Sequence, residues 1–144
     1  MRILILLALI LSSSCFALEK TFTYSCPDAI QKQVQYSIEC WNKALGGMLH
    51  AKRIKDAVPD IIVTQVQNLP KYRGLTHTSS TPILIEIDQD CDYKTSVILH
   101  EFGHAFGLEH TKNMNSIMFH CSKNDPTLSR EDEENIRKIW RDKK

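Results

Sequence analysis

The chain has 144 residues, with 18 lysines and arginines against 17 aspartates and glutamates and a formal net charge of +1. That length suits one domain around one hydrophobic core. With no basic excess and no Lys/Arg cluster, the composition argues against nucleic acid or an anionic membrane surface as the main partner.

Met1 and Arg2 precede an uncharged apolar run from Ile3 to Leu11, followed by Ser12-Ser13-Ser14-Cys15-Phe16-Ala17. A basic start, a short apolar stretch and small residues at the end describe a secretory signal peptide over residues 1–17, cleaved before Leu18. The run falls short of the roughly 20 apolar residues that cross a bilayer. Lipid attachment at Cys15 is the alternative, although Leu-Ser-Ser-Ser-Cys is a poor lipobox. Either route exports the protein to an extracellular or periplasmic space without a membrane span. Residues 18–144 then form the domain, expected to be a monomer.

Thr21 to Tyr24 alternates and reads as a first strand. Pro27 suits the first turn of a helix, and Ile30, Val34, Ile38, Trp41 and Leu45 recur at helical spacing until Gly46-Gly47 ends it. Met48–Lys55 and Asp60–Val66 read as two strands separated at Pro59, Gly74–Thr78 as a short strand, and Ile83, Ile85 and Ile87 as the apolar face of another. Asp92 is placed to cap the next helix. Asp88, Asp90 and Asp92 lack the glycine and distal glutamate of an EF-hand-like loop, so structural calcium is not expected. His50 and His77 read as surface or strand histidines. In the last segment Ser129 is a fair N-cap, Glu131 to Glu134 put acids in the first turns, and Ile136, Ile139 and Trp140 form a buried face.

Four cysteines follow the leader: Cys26, Cys40, Cys91 and Cys121. In an exported protein an even count suggests two disulfides. An unbroken helix would hold Cys26 and Cys40 about 20 Å apart by helical rise. Each is therefore expected to pair with Cys91 or Cys121, tying the first helix to the region that follows.

That region contains HEFGHAFGLEH, His100 to His110. His100 and His104 are four apart, so on a helix they lie about 40° apart in azimuth and about 6 Å apart in rise, close enough for two imidazoles to share one zinc ion. Glu101 stands beside them, where a carboxylate can act on a metal-bound water. His110 cannot join on a continued helix, which would turn it about 240° away from His104. Gly107 supplies the left-handed conformation that ends a helix and brings His110 round as third ligand. Three imidazoles leave zinc an open position, as in catalytic rather than structural sites.

HExxHxxGxxH followed by Ser116-Ile117-Met118 resembles the signature of the metzincin metallopeptidases. The fuller string, with LSREDEENIRKIW behind it, is similar to the matrixin branch, tightly from about Val97 to Met118 and loosely over the rest. The resemblance implies the zincin-like α+β fold, a mixed α/β sandwich with a twisted mixed sheet and three helices. It implies a zinc-dependent endopeptidase with one catalytic ion. Met118 would form the floor beneath the histidines. The strand at Gly74–Thr78 would be the edge on which an extended peptide or protein substrate lies, with Leu75 and Thr76 in contact. The segment between Met118 and Ser129 would line the pocket for the side chain just after the scissile bond.

Two departures stand out. Ser79-Ser80-Thr81-Pro82 is too short to supply the second zinc and calcium ligands of animal matrixins, and Cys26-Pro27-Asp28 matches the latency motif poorly. His120 is either a hydrogen-bond donor to the oxyanion of the tetrahedral intermediate or a pocket-wall residue. Two other functions fit the motif: a non-catalytic binding module stabilised by zinc, and a zinc hydrolase of a non-peptide amide. The carboxylate of Glu101 favours a catalytic centre, because a structural site does not need it.

Overall fold

The computed structural model describes residues 19–69, 71–121 and 124–142. The leader, with its cleavage site and Cys15, lies outside the described residues. Among those described, no helix is long and apolar enough to cross a membrane.

The element order is β1 (Lys20–Ser25), a single 3-10 turn (Asp28–Ile30), α1 (Gln31–Ala44), β2 (Leu49–Arg53), β3 (Ile61–Val66), β4 (Gly74–His77), β5 (Ile83–Asp88), α2 (Lys94–Ala105) and α3 (Arg130–Asp142). The first helix thus opens on a tighter turn than its periodicity predicts. Pro27, at φ −58°, stands at the N-cap of that turn. The apolar stripe is as expected, with Ile30, Val34, Ile38, Trp41 and Leu45 all buried. Gly46 and Gly47 leave the helix at φ +69° and +85°, backbone that side-chain-bearing residues adopt at a cost. β2, β3 and β4 are shorter than their sequence patterns, Thr78 for example belonging to a turn, whereas β1 extends one residue further at each end.

The five strands form one sheet in the order β2-β1-β3-β5-β4. β1 pairs in parallel with β2 and β3, and β3 with β5, while β4 runs antiparallel to β5 at the edge. The result is a mixed sheet with three helices, the architecture expected. α1 packs on α2, and α2 rests on β4 and β5. Trp41, fully buried, fastens the two helices by donating its indole N–H to the Leu99 carbonyl at 3.0 Å.

Two expectations fail. Asp92 does not cap α2: Tyr93 holds the N-cap position with no side-chain cap bond, and the Asp92 side chain is exposed. The acid that organises this bend is Asp88, which accepts the Asp90 N–H at 3.0 Å and pairs with Arg73 at 2.9 Å. The disulfides are also absent, all four cysteines being free. They occupy separate surroundings. Cys26 lies against the Arg53 guanidinium, Cys40 beside Tyr36, and Cys91 is buried in the bend near Lys94 and Arg73, whereas Cys121 is exposed. Non-covalent packing at Trp41 ties the first helix to the site region instead.

Candidate metal centre

α2 carries the first two histidines and then stops in a way the backbone dictates. Gly107, at φ +102°, donates its N–H to the His104 carbonyl at 3.0 Å, and Leu108 donates to the Gly103 carbonyl at 2.9 Å. Those two bonds with a left-handed glycine make a Schellman ending, which satisfies the last carbonyls and reverses the chain. His110 returns over the exposed end of the helix.

The three Nε2 atoms then form a nearly equilateral triangle: 3.1 Å between His100 and His104, and 3.2 Å from each to His110. Zinc–nitrogen bonds of about 2.0–2.1 Å in tetrahedral geometry place nitrogens about 3.3 Å apart, so the triangle fits a zinc ion. The far side of two rings is also set for it. His100 donates from Nδ1 to the Ile117 carbonyl at 2.6 Å, and His104 from Nδ1 to the Leu108 carbonyl at 2.8 Å. A ring whose Nδ1 holds the proton presents a bare Nε2, the tautomer a metal needs. Burial, with the other two histidines adding to it, lowers the His100 pKa to about 4. His110 is lowered too, first by burial and then by His104 and His120. All of this favours neutral, ligating imidazoles.

Glu101 is 5% exposed, and burial pushes its carboxyl up to about 7, a rise partly opposed by a hydrogen bond from Thr76. Met118 is fully buried beneath the helix, so close to Gly103 that a β-carbon there would overlap its sulfur. The turn leading to Met118 is pinned from α3. Asp132, fully buried, accepts from the Ile117 N–H at 2.9 Å, from the Ser116 hydroxyl, and from the Ser129 N–H and hydroxyl, each at 2.7 Å. Ser129 Oγ in turn accepts the Asp132 N–H at 3.2 Å, a capping box that makes Ser129 the cap expected. Ile117 is therefore held on one side by Asp132 and holds His100 on the other.

The structure thus brings the imidazoles of His100, His104 and His110 together through the turn at Gly107, packs Met118 beneath α2 and joins Glu101 to Thr76. Leu75 points to the opposite face of β4 from Thr76. His120 is exposed, its ring 4.3 Å from that of Phe119 and near enough to His110 to affect its charge. The cysteines take no part. Sequence reasoning missed Gly74, Gly103 and Asp132, and the Thr76 side chain. For Asp132 a signal was present in the Ser129-x-x-Asp132 capping spacing.

A triad of converging imidazoles, two of them on a helix that also carries a buried carboxylate and packs on this mixed sheet, fits a zinc metallopeptidase. Residues 56–141 match the matrixin family model of the M10 peptidases, and the chain belongs to that family. Its fold is similar to a solved structure of myroilysin, with a TM-score of 0.60 and 17% sequence identity over 85% of this chain and 93% of that one. Among curated proteins none matches the sequence.

Proposed function

We propose that this protein is an exported endopeptidase that uses one zinc ion, held by His100, His104 and His110, to hydrolyse peptide bonds in an extended substrate. The observation that carries the reading is the triangle of Nε2 atoms no more than 3.2 Å on a side, with the buried Glu101 following the first of these histidines in the chain. Zinc bound there supplies a Lewis acid, which polarises a carbonyl and makes water acidic near neutral pH. Glu101 takes the proton of the attacking water and returns it to the departing amine. β4 is one of the two edge strands of the sheet, and its outer side receives the substrate as an added strand. Export rests on the apolar leader from Ile3 to Leu11 and leads to an extracellular or periplasmic enzyme.

The test compares the zinc-loaded parent, the chelated parent and Glu101→Gln on a broad peptide library. Cleavage by the parent alone, with Glu101→Gln slower by at least about a hundredfold, is expected for loss of a general base. Equal cleavage by Glu101→Gln rejects this mechanism. No cleavage at all, with zinc still raising the melting temperature, moves the zinc-stabilised binding module ahead.

A further inference from the structure

Side chains alternate along a strand, so Gly74 and Thr76 share the face of β4 that lies on α2, while Leu75 and His77 take the other. On the shared face the Thr76 hydroxyl sits 2.7 Å from Oε2 of Glu101 and 3.0 Å from the main-chain oxygen of the same residue. A hydroxyl has one proton to donate, and here both acceptors belong to Glu101. Two residues earlier the strand yields space. A β-carbon at Gly74 would fall 2.5 Å from Cγ1 of Val97, 2.7 Å from Cγ of Glu101 and 2.8 Å from Oε1 of Glu101, all well inside van der Waals contact. One residue grips the carboxylate from one side, and its neighbour on the same face makes room on the other. Glu101 is nearly shut off from solvent, so little water competes with this strand for its oxygens.

We propose that β4 positions the general base: Thr76 and Gly74 are positioning residues that fix the Glu101 carboxylate. The strand whose outer edge receives substrate thereby also orients the group that moves the proton. In its catalytic consequence this rests on the peptidase reading; the geometric part stands apart from it. A peptide still finds the main chain of β4 when the Thr76 hydroxyl is removed, so kcat rather than KM carries the loss. Valine keeps the shape and strand preference of threonine without the donor.

The experiment uses zinc-loaded parent, Thr76→Val, Thr76→Ser and Gly74→Ala, with kinetics on a peptide the parent cleaves, zinc affinity by competition with a chelating dye, and a crystal structure of each variant. Thr76→Val is expected to lower kcat between about tenfold and a hundredfold with KM within about threefold, as a misplaced catalytic group does. Its zinc affinity stays at the parental value, and the carboxylate moves in the crystal. Thr76→Ser, which keeps the hydroxyl, returns kcat to within about threefold of the parent. Parental kcat in Thr76→Val overturns the proposal, and so does a rise in KM alone. If the parent cleaves nothing, the peptidase reading fails by itself, and the crystals still decide the positioning. A Glu101 carboxylate unmoved in both Thr76→Val and Gly74→Ala overturns it. Should Gly74→Ala fail to fold, Thr76→Val decides alone.

Discussion

Two glycines at this site, Gly74 and Gly103, act by the volume they leave empty. Gly103 lies between the two helical ligands, and its missing side chain lets Met118 and Trp41 close beneath α2, Trp41 Cζ2 standing 3.1 Å from where a β-carbon would be. Gly103→Ala trades a gain in helix propensity for an overlap with a flexible thioether and a rigid indole. Overpacking costs about 1–3 kcal/mol and outweighs the propensity gain of about 1 kcal/mol. Urea unfolding of the chelated protein checks the sign. His120 poses a different question at the same scale. As an oxyanion donor it would make His120→Ala lose kcat with KM little changed, whereas a pocket-wall residue would give a rise in KM alone. The ligand triad itself is legible from spacing. The contact between Thr76 and Glu101 spans 25 residues and leaves no local pattern.

Among the elements, the end of α2 does as much as its face. The Schellman ending depends on Gly107 at φ +102°, where any other residue is strained by about 1–3 kcal/mol. Gly107→Ala is expected to lower stability by that amount and to weaken zinc binding, since relief of the strain moves His110. Zinc competition together with denaturant unfolding measures both. α3 supports the site from further away. Removing the Asp132 carboxylate leaves the Ile117 N–H and the Ser116 hydroxyl without their acceptor in the interior and undoes the cap at Ser129, so Asp132→Ala should lose about 3 kcal/mol or more. Thermal melts of the metal-free protein test this apart from any effect on the ion. At this scale the sequence shows the apolar stripes of α1 and α3 and the glycine stops. It misplaces the α2 cap, because an acid before a helix looks the same whether it bonds the helix or stays in solvent.

For the molecule as a whole, metal and pH are the levers. Zinc binds the folded chain and not a preformed site in the unfolded one, so chelation should lower the melting temperature as well as stop cleavage. Differential scanning calorimetry with and without chelator measures the shift. Acid acts through carboxylates held below their ordinary range. Asp88 is lowered chiefly by the Asp90 backbone N–H and further by Arg73, and Asp60 by the N–H and hydroxyl of Thr23. The unfolded chain takes up these protons at higher pH than the folded one. The stabilisation is therefore complete above an ordinary aspartate pKa of about 4 and disappears as pH falls through the lower folded values. Asp88→Asn should show a melting temperature that falls less steeply below about pH 4 than the parent's.

From the sequence alone come the ligands, their acidic neighbour, the glycine that turns the chain and the order of strands and helices. Each is encoded within about one or two helical turns, or in period-two alternation, where local geometry fixes the relation between residues. Only the folded chain decides the strand order, the free state of the four cysteines, the pinning of the Met118 turn by Asp132 and the grip of Thr76 on Glu101. Those depend on which distant surfaces pack together, and no short-range spacing records that.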